Sequence, residues 1–244
     1  MPRAVREAAL NLAAFRDHGY RLVPSIFDAG EVSRMRVEAD RVSADEGTAC
    51  VRNLSHRSSL FRGIADGERL AGLIGAVLRP VRGILFDKTA GENWSVSWHQ
   101  DLTVAVESRV DVPGYGPWSV KDGVVHAHAP AYLLERMVTF RIHLDDTPAE
   151  NGALRVIPGS HRHGRLGDAA LEELTRRPEV TCAASAGDVL LISPLILHAS
   201  RRVTRPARRR VVHFEYAPPD ALDPRLSWAE GPTSLTSPVR AGSG

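Results

Sequence analysis

Only two cysteines, Cys50 and Cys182, occur among the 244 residues, and no Cys-x-x-Cys pair exists. A structural zinc site built from thiolates is therefore disfavoured. Nothing suggests a disulfide framework, and a reducing cytoplasm fits the chain. No run comes near the ~18 apolar residues of a membrane-spanning helix. The arginines near the N-terminus are not followed by the apolar stretch of a secretion signal. The expectation is a cytoplasmic protein with no membrane partner. An excess of one charge is lacking too: the net charge is +2, with a pI near 8.7. That balance is too mild to argue for nucleic acid. No internal repeat is present, and no feature speaks to an oligomeric state.

The chain is 43% hydrophobic, enough to build a sizeable core. Residues 4–18 carry Val5, Ala8, Ala9, Leu12 and Phe15 at helical spacing, and Gly19 ends that pattern. Tyr20 to Val23 predicts a short strand. Asp28 is a candidate cap for a second helix with Val32, Met35, Val37 and Val42. A third helix is expected over about 66–79, stopped by Pro80. Beyond it the texture changes to short β-like runs at 81–87, 94–99, 136–144, 153–157, 188–192 and 210–216. The expectation is one domain, 1–244: helical support over 1–80, a β core over 81–216 and an irregular tail over 217–244. Residues 107–131 are rich in Gly and Pro and hold Tyr115, Trp118, His126 and His128. Two readings of that stretch stand: a lid loop over a pocket, or a surface excursion with anchoring aromatics.

His99-Gln100-Asp101 lies on an apparent strand, where residues two apart face the same side. His99 and Asp101 can therefore reach one ion while Gln100 points away. His198 follows the largely apolar run 190–197 about a hundred residues later. Two histidines and one carboxylate on one face of a metal leave the opposite face open, which suits non-haem Fe(II) and oxygen chemistry. His18, His56 and His213 have no such partner and are taken as structural. Asp145 and Asp146 are neighbours on a strand, so they face opposite ways and cannot form an acid/base pair.

Several motifs recur in one order. They are Phe15-Arg16-Asp17-His18-Gly19-Tyr20, Trp98-His99-Gln100-Asp101 and Leu144-Asp145-Asp146-Thr147-Pro148, then Asn151 through Ser160-His161, Gly187-Asp188-Val189 and His198-Ala199-Ser200. Over about 10–216 the chain resembles the phytanoyl-CoA dioxygenase-like branch of the Fe(II)/2-oxoglutarate oxygenases. The resemblance implies a mainly β fold with flanking helices, a double-stranded β-helix (jelly roll, cupin-like). It implies His99, Asp101 and His198 as ligands of Fe(II), with 2-oxoglutarate and O₂ as cosubstrates. It implies Arg209, eleven residues after His198, as the partner of the distal carboxylate of 2-oxoglutarate, with Ser200 beside it. An arginine fork suits that carboxylate as a lysine cannot. Arg208 and Arg210 would then face the other way.

The resemblance also turns Thr139, Arg141 and His143 inward near the cosubstrate. Arg141 would offer a second anion site if inward, or face solvent if not. Lys88, Tyr115, Trp118 and His126 are further candidate substrate residues, and Trp98 is either core or contact. His161 and His163 shape a turn. The implied activity is a dioxygenase that hydroxylates a C–H bond of a small molecule and converts 2-oxoglutarate to succinate and CO₂. By the same resemblance, a carboxylate at Asp101 favours hydroxylation, or a related desaturation or ring closure, over halogenation. The substrates of the family run from acyl-CoA esters to amino acids and natural-product scaffolds. Two alternatives remain open: a jelly-roll metalloenzyme that does not use 2-oxoglutarate, and a non-catalytic ligand-binding relative. The six arginines between Arg201 and Arg210 also admit a nucleic-acid patch, but no aromatics interleave them.

Overall fold

A computed structural model of the chain describes residues 12–89, 91–202 and 208–230. In chain order its elements are α1 (Leu12–His18), β1 (Tyr20–Val23), α2 (Ala29–Glu46), β2 (Cys50–Arg52), α3 (Leu54–Arg57), α4 (Ser59–Asp66), α5 (Glu68–Ala71) and β3 (Arg79–Lys88). Next come β4 (Val96–His99), β5 (Thr103–Val106), β6 (Trp118–Lys121), β7 (Val124–His128), α6 (Ala131–Leu134) and β8 (Val138–His143). The last are β9 (Leu154–Val156), α7 (Asp168–Leu174), β10 (Val180–Cys182), β11 (Val189–Ile192), β12 (His198–Ser200) and β13 (Arg209–Ala217). Among the described residues no helix is long and apolar enough to cross a membrane.

The strands form a six-stranded sheet in the order β1-β11-β8-β13-β3-β2 and a four-stranded sheet in the order β10-β9-β12-β4. All the pairings are antiparallel. Leu190 and Ile192 of the large sheet pack with Leu154, Val156 and Cys182 of the small one, so the two sheets face each other. The other side of the large sheet carries Leu85, Phe140, Ile142, Leu191, Val212 and Phe214, which pack against Val32, Met35, Ala39 and Phe61 of the helices. Each such side chain contributes about 1.5–3 kcal/mol on full burial. Two facing antiparallel sheets with helices on one outer face make a jelly roll, as the resemblance implied.

Local chemistry explains the helices. Asp28 caps α2 and Glu31 reaches back to its backbone, a reciprocal pair that satisfies two orphan amides. Gly47 ends the helix at φ 61°. Val32, Met35, Ala39 and Val42 form its buried stripe. Val37, expected on that stripe, is 69% exposed, because it lies off the three-and-four spacing the others keep. The helix expected over 66–79 is a correction. Only α5 forms, Gly75 turns left-handed at φ +64°, and strand β3 already begins at Arg79. Residues 4–11 of the first expected helix lie outside the described ones.

Residues 107–131 are a second correction. They are not one irregular loop: β6 and β7 form a hairpin that pairs with β5 in a three-stranded sheet. Asp122 and Gly123, both with positive φ, make its turn, as a two-residue hairpin requires. Val104, Val106 and Ala127 of this sheet pack with Tyr115, Leu226 and Trp228 in a core of their own. The described part of the tail, 217–230, is irregular but packed, and Trp228 bridges to Val106. Residues 231–244 lie outside the described ones.

Gly187 sits at φ +94°, and a Cβ there would collide with the carbonyl oxygen of Phe27. Its own carbonyl accepts from Ile26 and Phe27 backbone amides, joining the start of α2 to β11. Gly187→Ala should lower stability by at least about 2 kcal/mol, adding clash to left-handed strain. That corresponds to a melting point lower by about 4–8 °C. Gly47→Ala, where a Cβ meets nothing within 4 Å, should lose about 1 kcal/mol. Equal thermal shifts for the two would refute the close approach at Gly187.

Candidate metal centre and anion pocket

His198 and His99 face each other across the β12–β4 pair. Their ring centroids are 4.1 Å apart. Asp101 follows β4 directly, and its backbone amide donates to the Pro194 carbonyl at 2.9 Å. His99 Nε2 lies 3.7 Å from Asp101 Oδ1, and His198 Nε2 lies 3.5 Å from Asp101 Oδ2. One ligand atom from each of the three falls within 4.8 Å of the others. Gln100 turns the other way, its amide bonded to the backbone of Gly164, Leu195 and Leu166.

The imidazoles are oriented alike. His99 Nδ1 donates to Ser97 O at 2.8 Å and His198 Nδ1 donates to Ile196 O at 2.9 Å. Each therefore presents a bare Nε2, the form a metal takes. Burial pushes the His198 pKa down to about 4, outweighing the pull of Asp101, so it stays neutral. Burial alone would raise the Asp101 carboxyl. In acid, the charge on His198, then on His213 and His99, with that of Arg82, outweighs burial and holds the carboxyl at about 2. Its Oδ2 is sealed from solvent with no hydrogen-bond donor. Two bare imidazole nitrogens and an orphaned carboxylate oxygen converging on one point fit a divalent cation well.

These side chains line a cavity of about 150 Å³ with Phe86, Lys88, Trp94, Arg141, Ser200, Arg209 and His213. Larger grooves occur on the helical face, as between α2 and α4 at about 430 Å³, but they gather no such set of orphaned polar atoms. Val212 and Phe214 of β13 face the helices, so alternation turns Arg209, Val211, His213 and Glu215 inward. Arg209 is 3% exposed and donates to the Gly152 carbonyl, while its Nε has no partner. Lys88 is paired directly across from it on β3. Lys88 Nζ donates to Trp94 O at 2.6 Å and to Ser200 Oγ at 3.3 Å. Burial, then Arg209 and Arg141, brings the Lys88 pKa down to about 7.

Arg208 and Arg210 face the other way, toward Asp40 of α2. Arg208 grips Asp87 with two bonds, at 2.9 and 2.6 Å. Arg210 grips Asp145 with two at 2.9 and 2.8 Å.

Other expected residues lie elsewhere. Thr139 pairs with Glu215, six residues along β13 from Arg209, or about 20 Å at strand spacing. It is buried and does not line the cavity, so it cannot reach a carboxylate held at Arg209. His143 is buried near Arg209 and Arg141, with its pKa down to about 3 through burial. Tyr115 and Trp118 are corrections as lid residues. They pack in the core of the three-stranded sheet, with Tyr115 O–H bonded to the Asp223 amide and Trp118 under Arg109. His126 is buried on the opposite face of β7 with Nε2 unpartnered, and is not in the cavity lining. Trp98 packs with Ile157, Leu174 and Leu197. His213, taken as structural, and Trp94 were missed. The period of two along β13, once Arg209 is set inward, would have found His213.

A jelly roll that gathers two histidines and a carboxylate at one end of a cationic cavity is the plan of a non-haem iron oxygenase. Comparison with known proteins sharpens this. The profile of the phytanoyl-CoA dioxygenase (PhyH) family matches residues 15–211, and the chain belongs to that family. An ectoine dioxygenase of Stutzerimonas stutzeri (strain A1501) is 24% identical over 254 residues, covering 86% of this chain and 76% of the relative. Two solved structures share the fold. The epimerase SnoN, in complex with Fe3+, alpha ketoglutarate and nogalamycin RO, has a TM-score of 0.67 at 23% identity, covering 89% of this chain and 85% of its own. HygX from Streptomyces hygroscopicus, with nickel and 2-oxoglutarate bound, has a TM-score of 0.63 at 20% identity, covering 90% and 88%. The chain is thus an oxygenase of the Fe(II)/2-oxoglutarate class.

Asp145 is held below its ordinary carboxyl range, since its bonds to Arg210 outweigh burial. Its contribution to stability is therefore complete above the ordinary pKa of 3.8. It disappears as the pH falls through the lowered native value. Asp145→Asn should lower unfolding free energy at pH 7 by about 3 kcal/mol, by leaving Arg210 half-paired. The difference from wild type should narrow in acid, below about pH 4. A pH-independent difference in chemical denaturation would contradict this.

Proposed function

We propose that this chain hydroxylates a C–H bond of a small-molecule substrate, with conversion of 2-oxoglutarate to succinate and CO₂. The observation that carries the reading is the convergence of His99 Nε2, His198 Nε2 and the orphaned Asp101 Oδ2 beside a buried Arg209. His99, Asp101 and His198 would hold Fe(II). Bound iron would supply oxygen activation coupled to the decarboxylation. Everything else is orientation and exclusion by the protein.

Arg209 would take the distal carboxylate of 2-oxoglutarate as a two-pronged guanidinium donor. Ser200 Oγ and Lys88 Nζ, 3.3 Å apart, would complete that anion site. Lys88 thus belongs with the cosubstrate and not, as first expected, with the substrate. The Gly152 carbonyl fixes one edge of Arg209, which leaves its Nε free for the ligand. Trp94 and Phe86 wall the cavity, and their rings keep water from the anion site. A buried cation facing a carboxylate in such surroundings is worth more than one in water.

The named relative acts on ectoine, as its name records, and a small molecule is the substrate class that suits a cavity of this size. A jelly-roll metalloenzyme without 2-oxoglutarate would leave Arg209 and Lys88 buried with no anion to meet.

Purified protein supplied with Fe(II), 2-oxoglutarate and O₂ should release succinate, even without primary substrate, at a slow uncoupled rate. His198→Ala and His99→Ala should abolish release and metal binding together. Arg209→Ala should raise the 2-oxoglutarate requirement by about 2–5 kcal/mol, thirtyfold or more. No iron-dependent succinate from the wild type would sink the reading. Unchanged 2-oxoglutarate dependence in Arg209→Ala would sink the role given to that residue.

A further inference from the structure

Four arginines are buried among the described residues: Arg82, Arg141, Arg209 and Arg210. Arg82 has Glu215 at 3.1 Å and Arg210 has Asp145 at 2.8 Å. Arg141 and Arg209 have no carboxylate in contact, and both line the cavity that holds the triad. A buried guanidinium without a counter-ion is unfavourable unless a ligand supplies one. Given the proposed function, Arg209 meets the distal carboxylate of 2-oxoglutarate. Arg141 remains.

Arg141 is 7% exposed. It pairs with His213 across β8 and β13, four residues along β13 from Arg209, about 13 Å at strand spacing. Its ring contact is Phe86, at 5.5 Å from the centroid. Its Nη1 donates to His213 Nδ1 at 2.9 Å. His213 Nε2 then donates to Glu215 Oε1 at 3.4 Å, which also accepts from Arg82 at 3.1 Å. The chain Arg82–Glu215–His213 is thus neutral overall and fixes one edge of Arg141 without cancelling its charge. The Nε of Arg141 is sealed from solvent and has no partner. Five donors on a planar fork, one edge held and the other unsatisfied, match a carboxylate.

The charges agree. Around the cavity stand Lys88, Arg141 and Arg209 against Asp101 alone. A divalent metal and a dianionic cosubstrate cancel each other and leave that excess of positive charge in place. Arg141 lines the same cavity as Asp101, the carboxylate the metal would engage. Its place across from His213, four residues from Arg209, sets it toward the metal end of the lining.

We propose that Arg141, held by His213, is a second carboxylate-binding group, at the metal end of the cavity and distinct from the anion site at Arg209. The carboxylate is either that of the primary substrate, which would make the substrate a carboxylic acid, or the metal-end carboxylate of 2-oxoglutarate itself.

The test uses the full chain loaded with Mn(II), which binds oxygen-donor ligands and relaxes nearby protons. Two probes are read in wild type, Arg141→Leu and Arg141→Lys. The first is 2-oxoglutarate, titrated by calorimetry. The second is acetate, added to the 2-oxoglutarate complex and followed by paramagnetic relaxation of its methyl protons. If the site takes the substrate carboxylate, Arg141→Leu loses about tenfold or more of the acetate effect, with 2-oxoglutarate affinity changed less than about threefold. If it takes the metal-end carboxylate, 2-oxoglutarate affinity itself falls about tenfold or more. Arg141→Lys keeps the charge without the fork, so an intermediate loss on the same probe is expected, and it is the variant to read should Arg141→Leu not fold. Wild-type behaviour of both variants on both probes overturns the proposal. A wild type that binds acetate through Arg141 but never binds 2-oxoglutarate would reject the function proposed above and leave this site standing.

Discussion

Three consecutive arginines, Arg208 to Arg210, lead into β13 and can only be satisfied one way. Neighbours on a strand face opposite sides, so Arg208 and Arg210 go out together or in together. Outside wait Asp87 and Asp145, each taking two bonds from one guanidinium. Asp87 belongs to β3 and Asp145 follows β8, the two strands that flank β13. The two clamps therefore fix the register of the central strand against both neighbours. A slip of one residue would turn two paired arginines into the cavity and carry Arg209 out of it. The inward set of Arg209, Val211, His213 and Glu215 follows from that single choice, and with it the anion pocket.

The metal end depends on a smaller device. Three histidines, His99, His126 and His198, each bond through Nδ1 to the carbonyl two residues earlier. The local strand geometry thereby selects the tautomer with a bare Nε2 and aims it away from the backbone. Two of these rings share one point with Asp101. The third, His126, keeps an unpartnered Nε2 on the hairpin. Preparation of the ligand atoms therefore needs no distant support beyond the β4–β12 pairing.

Legibility in the sequence followed the physics of each element. The runs 81–87, 188–192 and 210–216 were legible because they are largely buried on both faces and rich in apolar and β-branched residues. The three-residue strands β2 and β10 were not, since so few residues show no period. The hairpin of β6 and β7 was hidden by the Gly and Pro around it. Its own signal, Asp122-Gly123 between two short strands, was present and is specific for such a turn. His99, Asp101 and His198 were legible because spacing along one strand and a distant strand end suffice. His213 was missed although the period of two sets it on the inward face with Arg209; its bond to Arg141 depends on cross-strand pairing, which no local pattern records. Thr139 was misassigned for the converse reason. It shares a face with Arg141, but a shared face runs the length of a strand while a ligand occupies one end.

The hairpin is built as a unit with a core of its own. Val104, Val106 and Ala127 are buried against Leu226 and Trp228, so the three-stranded sheet has its own apolar backing. Alternation then turns Ser119 and Lys121 of β6 and His126 of β7 to the opposite face. That face is not neutral. His126 feels Arg82, Lys121 and Glu215, and Lys121 feels Arg82 and Asp101. The three-stranded sheet is a packed unit with its own core, and none of its strands lines the cavity that holds the triad. The tail segment 217–230 supplies part of that backing through Ala221, Leu226 and Trp228.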